Sequence, residues 1–249
     1  MARLSEEDVE LALDALAEGL KLQALRRFWG QVYWETETEA ARTAVAAEGR
    51  LPLESVAAHS WHVADAVLVV GPLAFEGRLN LGKAVALAVM HDKLEMFIGD
   101  WDPVGDGTGK GTHAFDPARR AEKQMAEERA AEEYLSRLPA GTQGPQARLL
   151  DELAAGVTDE ARAVRALDKL QALVYLTVKK AGTSTDAGLR FLLTYEAPVT
   201  RSCPEVAPFI FAAQRRLFRS VGEHRGIDGT VLYERFAFEL LATQADRAA

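Results

Sequence analysis

The apolar positions of this chain recur at helical spacing over most of its length. Val9, Leu11, Leu13, Leu16, Leu20, Leu22 and Leu25 keep a broad stripe through about residue 28, the three-to-four-residue recurrence of an amphipathic helix. Ser5, then Glu6, Glu7 and Asp8, supplies a start: a hydroxyl to cap the first amides, and acids where the helix dipole favours them. Residues 30–49 read as further helix interrupted at Gly30 and Gly49, and Pro52 marks a loop. A strongly apolar helix is expected over about 55–71, opened by Glu54 or Ser55 and ended by Gly71-Pro72. Another is expected from about Leu81 to Phe97, stopped by GDWDP. The stretch VGDGTGKGTHAFD reads as a surface loop. A charged helix follows from Asp116-Pro117 to Pro139, then helices over 149–155 and 159–178. After Pro198, Pro204 and Pro208, the last helices are FIFAAQRRLFRSVGEH and TVLYERFAFELLATQ. Strand signals are poor. The fold class is therefore all-α: one multi-helix bundle domain over 1–249, with a core of about 50–180 and a helical extension of about 185–249.

Composition narrows the function classes. Apolar residues make up 48% of the 249, enough for a sizeable core, and the net charge is −8. No long basic tract exists, so no surface for duplex nucleic acid is expected. A single cysteine, Cys203, excludes an intramolecular disulfide and a cysteine-rich zinc site. The acidic, amphipathic start lacks the basic and apolar regions of a signal peptide. No uninterrupted apolar run approaches membrane-spanning length. The expectation is a cytoplasmic protein with no membrane partner.

The chemistry concentrates at His91-Asp92, inside LGKAVALAVMHDKLEMFIGDW. An imidazole and a carboxylate are costly to bury unless something pairs with them. One divalent metal ion, whether Mn, Co, Fe, Ni, Zn or Mg, is the usual solution for mixed nitrogen and oxygen donors. His59, in LPLESVAAHSWHVADAVLVV, and Asp168, in ARAVRALDKLQALVYL, are the further candidates able to converge on it. A hydrogen-bonded His-Asp pair without metal is the plainer alternative. His62, one turn after His59, competes with it but reads better as a surface or core histidine. Trp61 and Trp101 flank the motifs and are candidates to stack on a base, although core packing is the commoner fate of such residues. GDGTGKGT lacks the spacing of a phosphate-binding P-loop.

Three co-ordered segments, ESVAAHSW (54–61), HDKLEMFIGDWDP (91–103) and TDEARAVRALDKL (158–170), resemble the HD-domain phosphohydrolases, in particular the 5′-deoxynucleotidase branch. The resemblance implies His59, His91, Asp92 and Asp168 as metal ligands and Glu95 and Asp100 as catalytic groups. It implies hydrolysis of deoxyribonucleoside 5′-monophosphates to deoxynucleoside and phosphate by water activated on the metal, in a homodimer with a small nucleotide as substrate. Lys110 resembles a lysine that follows the motif in relatives. Arg42 and Arg50 are both candidates for the family's nucleotide-contacting arginine. The chain departs from the pattern at Ala58, where relatives carry an acid that orients the first ligand, and at Lys93, where they carry a small or apolar residue. The chain beyond about 185 finds no counterpart. The alternatives are a dNTP triphosphohydrolase or another nucleotide phosphohydrolase, and a metal- or nucleotide-binding sensor without turnover.

Overall fold

The computed structural model describes residues 5–27, 54–180 and 182–248, with side chains up to residue 242. All regular elements among these are helices: α1 (Glu6–Gly19), α2 (Lys21–Ala24), α3 (Val56–Phe75), α4 (Leu81–Met90), α5 (Glu95–Ile98), α6 (Pro117–Ser136), α7 (Ala140–Ala155), α8 (Asp159–Lys180), α9 (Asp186–Ser202), α10 (Ala207–Arg225) and α11 (Gly229–Ala248). The expected all-α class is what is found. The described residues divide into two compact units, one containing 5–27, 54–101 and 117–164 and the other 102–116, 165–180 and 182–248.

In the first unit, Ser5 caps α1 by accepting from the Asp8 amide at 3.0 Å, as its sequence indicates. An antiparallel bridge joins Arg26 to Ser55. It is made by the Arg27 amide donating to the Glu54 carbonyl (2.9 Å) and the Val56 amide to the Leu25 carbonyl (3.1 Å). This clamp fixes the chain after α2 against the start of α3. The core gathers Leu22, Val56, Met90, Met96, Tyr134 and Leu138 from α2, α3, α4, α5 and α6 together with the turn that follows α6. Lys83 on α4 pairs with Glu152 (3.0 Å) and Glu160 (2.8 Å), and Glu160 also accepts the Asn80 amide at 3.0 Å. These bonds hold the first turn of α8 to the first turn of α4.

Helix boundaries differ from expectation at two prolines of this unit. Gly71-Pro72 does not end α3, which continues to Phe75. Proline deprives the last turn of one hydrogen bond, but continuing the turn buries Phe75 completely. Gly71 lets Leu79 and Leu81 pack close, since a Cβ there would stand 3.1 and 3.2 Å from them. α7 likewise starts at Ala140 and passes through Pro145 rather than beginning near Leu149. α3 is the one described helix long and apolar enough by composition to cross a membrane. It carries Val63, Val67 and Val70 on a buried face and Leu68, Val69 and Leu73 on an exposed one.

In the second unit, α9 is a helix that the prolines had hidden, with Pro198 inside it. Thr185 caps it by accepting from the Gly188 amide. α10 and α11 cross closely at two glycines: a Cβ on Gly222 would stand 2.5 Å from the Gly229 nitrogen. Residues 104–116 are the expected surface loop, yet Val104 and Ala114 are buried with Tyr175 and Phe191. Gly109, at φ +73°, lies against Phe191 and Phe115 where no side chain fits.

A buried polar group interrupts this unit's core. Glu196 accepts from Gln214 Nε2 at 2.8 Å, and the Tyr233 hydroxyl donates to Gln214 Oε1 at 3.1 Å. Burial pushes the Glu196 carboxyl up to about 8, against the smaller opposing effects of Gln214 and Lys169. The folded protein then keeps a proton that the unfolded chain releases near 4.5. Stability due to this group is therefore lost as pH rises from about 4.5 to about 8. Glu196→Gln is expected to flatten that decline, read from urea unfolding at a series of pH values. An unchanged pH profile would show that Glu196 ionises normally.

Candidate metal centre

The bridge between Arg26 and Ser55 sets the site. Ser55 accepts from the Ala58 amide at 3.1 Å and starts α3, which places His59 one turn in, with no solvent exposure. His91 stands at the end of α4, where the expected continuous helix to Phe97 does not form. The chain instead tightens through residues 91–94, with the amides of Lys93 and Glu95 donating three residues back to Met90 and Asp92. His91 Nδ1 stands 2.7 Å from the Ala88 carbonyl, which accepts its proton. That bond leaves Nε2 of His91 bare.

His59 Nε2 and His91 Nε2 are 3.1 Å apart. Asp92 Oδ2 lies 3.2 Å from His91 Nε2 and 3.4 Å from His59 Nε2. Neighbouring donors around a small divalent ion with bonds of about 2.1 Å stand roughly 3 Å apart. Two imidazoles and a carboxylate at this spacing fit such an ion in separation and in chemistry. Behind them, Arg27 Nη1 stands 2.6 Å from His59 Nδ1 and 3.3 Å from Glu54 Oε2. A guanidinium has no acceptor, so this contact suits His59 with its proton on Nε2, donated toward His91. Glu54 Oε2, 3.8 Å from His59 Nδ1, is the acceptor for the other tautomer, the one a ligating His59 adopts. Glu54 also lies 3.3 Å from His62.

The charges divide the nearby acids. Burial alone would raise the Asp92 carboxyl, but His91, His59 and Arg27 outweigh it and hold it well below the usual carboxylate range. Glu95 is pushed the other way: burial is the largest cause, and Asp92 and Asp100 add to it against Arg27 and Lys123. Its Oε2 is buried without a hydrogen-bond partner among the described residues. Burial would lower Lys123, but Glu127, Asp92 and Glu95 raise it overall. Gly99 swings the chain out of α5 with φ +73° and ψ 169°, a conformation open essentially to glycine alone. Asp100 thereby follows directly, close enough to bear on Glu95.

The other expected site residues are distributed as follows. Glu95 is not on a helix continuous with His91 as the sequence suggested, because the turn at 91–94 intervenes. Trp61 is not in the core; it is 63% exposed, beside His62. Lys93 packs over the Tyr134 ring at 5.9 Å. In the second unit, Asp168 sits on α8 with Lys169 Nζ 2.8 Å from its Oδ2, and Lys110 is exposed on the 102–116 loop. Arg42 and Arg50 lie outside the described residues. Sequence reasoning missed Arg27, Glu54 and Lys123. Glu54 is the acid that faces Nδ1 of His59, and Ala58 itself is exposed.

The profile of the HD domain matches residues 37–206, more than half of the chain, and the chain belongs to that family. Among solved structures it is similar to a protein described as a predicted metal-dependent phosphohydrolase from Magnetospirillum magnetotacticum MS-1. That likeness has a TM-score of 0.56 and 24% identity, over 87% of this chain and 97% of the other. It is also similar to a conserved hypothetical protein from Pyrococcus furiosus, with TM-score 0.54 and 19% identity over 82% and 99% of the two chains. A protein from Pyrococcus horikoshii matches with TM-score 0.54 and 18% identity over 82% and 99%. Among curated proteins, no relative matches.

The raised Glu95 carboxyl has a measurable consequence in metal-free protein. Its folded form holds a proton above the ordinary value of 4.5, so stability from this group falls as pH rises past that value. Glu95→Gln is expected to be more stable than the parent at pH 8, with the gap closing below pH 4.5, by urea unfolding in a chelator. A gap independent of pH would show that Glu95 is not desolvated.

Proposed function

We propose that the chain is a metal-dependent phosphohydrolase acting on a deoxyribonucleoside 5′-monophosphate. The observation that carries this reading is the approach of His59 Nε2, His91 Nε2 and Asp92 Oδ2 to within 3.1–3.4 Å of one another. HD-domain membership and the printed description of the Magnetospirillum protein support the hydrolase class. The nucleotide substrate is supported by the resemblance of the three sequence segments.

His59, His91 and Asp92 would hold the ion, with Asp168 as the fourth ligand that the resemblance implies. Bound there, a divalent ion would polarise a phosphate oxygen and lower the pKa of water toward neutrality. The remaining steps belong to the chain. Asp100 accepts a proton from the attacking water as its oxygen bonds to phosphorus. Glu95, kept protonated by its surroundings, gives its proton to the 5′-oxygen as the phosphorus–oxygen bond breaks. Arg27 opposes the substrate's negative charge, and Arg42 and Arg50 are the proposed contacts to the nucleotide. Glu54 accepts a hydrogen bond from the Nδ1–H of His59 and so leaves Nε2 free to bind. Lys110 and Trp61 are the proposed contacts to phosphate and base.

Asp92→Ala is expected to lose metal, by elemental analysis, together with phosphate release from dNMPs. Glu95→Ala should retain metal and lose about 10²- to 10⁴-fold in turnover. A metal-loaded Glu95→Ala protein of normal rate removes that role. A panel of dNMPs, NMPs and dNTPs with Mn or Co decides the substrate: orthophosphate from dNMPs is expected, and tripolyphosphate from dNTPs would replace this reading with the triphosphohydrolase. Metal binding without product from any of them would make the chain a sensor.

The acid behind His59 gives a separate test. Glu54→Gln removes its proton-accepting charge and is expected to weaken metal affinity about 10- to 100-fold, measured by competition with a chelating dye. Unchanged affinity would show that Glu54 serves only its pairing with Arg27.

A further inference from the structure

A second chemically distinct place lies in the second unit, where α10 meets α11. A cavity of about 270 Å³ is lined by Arg215, Arg219, Gly229, Thr230 and Tyr233. Arg215 and Arg219 are four residues apart on α10, hence on one face of that helix. The glycine crossing builds the floor: a Cβ on Gly229 would stand 2.5 Å from the Arg219 Cα and from the Phe218 carbonyl oxygen. Only a glycine brings the start of α11 flush against the arginine row. Other arginines of this unit are spent on acids: Arg190 on Glu239, Arg225 on Asp186, and Arg235 on both. Arg215 and Arg219 make no ion pair or hydrogen bond with any described residue.

We propose that this cavity is a binding site for a phosphate-type oxyanion, held by the guanidinium groups of Arg215 and Arg219 and by the Thr230 hydroxyl. Paired guanidinium forks match the geometry of phosphate oxygens. The site does not depend on the α11 amides, because Asp228 Oδ1 already accepts from Thr230 (2.7 Å) and Val231 (3.4 Å). Tyr233 contributes a wall rather than a donor, since its proton goes to Gln214. The volume lies just under the roughly 300–1,000 Å³ of drug-sized ligand pockets. That suits inorganic phosphate or a small phosphate ester better than a whole nucleotide. This proposal is independent of the hydrolase reading, because every residue in it lies on α10 or α11.

The test is titration calorimetry of the full chain in a chelator, at fixed ionic strength, with inorganic phosphate and ribose 5-phosphate as probes. Saturable binding is expected for the parent, with the tighter probe naming the source of the phosphoryl group. The double variant Arg215→Gln/Arg219→Gln should bind at least tenfold more weakly while unfolding at the parent's temperature. Thr230→Val, a milder change, should weaken binding severalfold. Absence of saturable binding by the parent, or equal affinity in the double variant, would overturn the site. Should the double variant unfold early, an unchanged affinity in Thr230→Val overturns the hydroxyl's role and with it the proposed geometry.

Discussion

The near approach of two imidazole nitrogens and a carboxylate oxygen beneath apolar helices is the constraint that the first unit is organised around. Such atoms repel unless a proton or a cation lies between them, and desolvation makes the cost larger than in water. The chain meets part of that cost itself. Arg27 and the His59–His91 contact can be satisfied by protons running from guanidinium to imidazole to imidazole to the Ala88 carbonyl. Asp92 remains as a charge held low by the same neighbours. A divalent ion satisfies all three donors at once, provided His59 moves its proton to the side facing Glu54. The two arrangements differ by one tautomer and by withdrawal of the Arg27 guanidinium, which cannot face a proton on Nδ1.

The backbone explains how so many polar groups reach one place. The bridge at Arg26 and Ser55 brings a cation from a segment distant in sequence beside α3. The tight turn after Met90 ends a helix at the residue whose side chain must face inward. Gly99 then redirects the chain so that Asp100 follows Glu95 into the same field. Each device costs regular helical bonding, and each is offset by burial of Val56, Met90 and Met96 in the shared core. Around them, Lys83, Glu152, Glu160 and Asn80 supply polar ties between helix ends where no apolar contact is needed.

Much of this was legible from sequence. The helical period, the Ser5 cap and the His59, His91 and Asp92 candidates follow from spacing and from the cost of burying such groups. The prolines misled, because proline is read as a terminator, whereas Pro72, Pro145 and Pro198 are carried inside helices whose tertiary burial outweighs one lost bond. Arg27 and Glu54 were illegible for a different reason. Each reads locally as a helix-end residue, and only the bridge, which no periodicity announces, brings them to His59. Lys123 was illegible because the helix that carries it is charged along its length and its neighbours Arg120 and Glu122 are exposed. Four residues from Glu127, with which it pairs, it fits that pattern equally well, and only its surroundings mark it otherwise.

Asp92 and Glu95 are three residues apart and titrate in opposite directions, and the reason is what each faces. Asp92 looks toward imidazoles and a guanidinium; Glu95, also buried, looks toward Asp92 and Asp100. Carboxyls pushed apart in this way can serve as a fixed anion and a proton carrier at one pH. The division does not need the ion to exist, but the ion sharpens what it means. A divalent charge on the Asp92 side would draw down every acid that faces it, so Glu95 can keep its proton only while it stays outside that shell. On the proposed reading, its buried oxygen, without a partner among the described residues, faces a reactant rather than the ion.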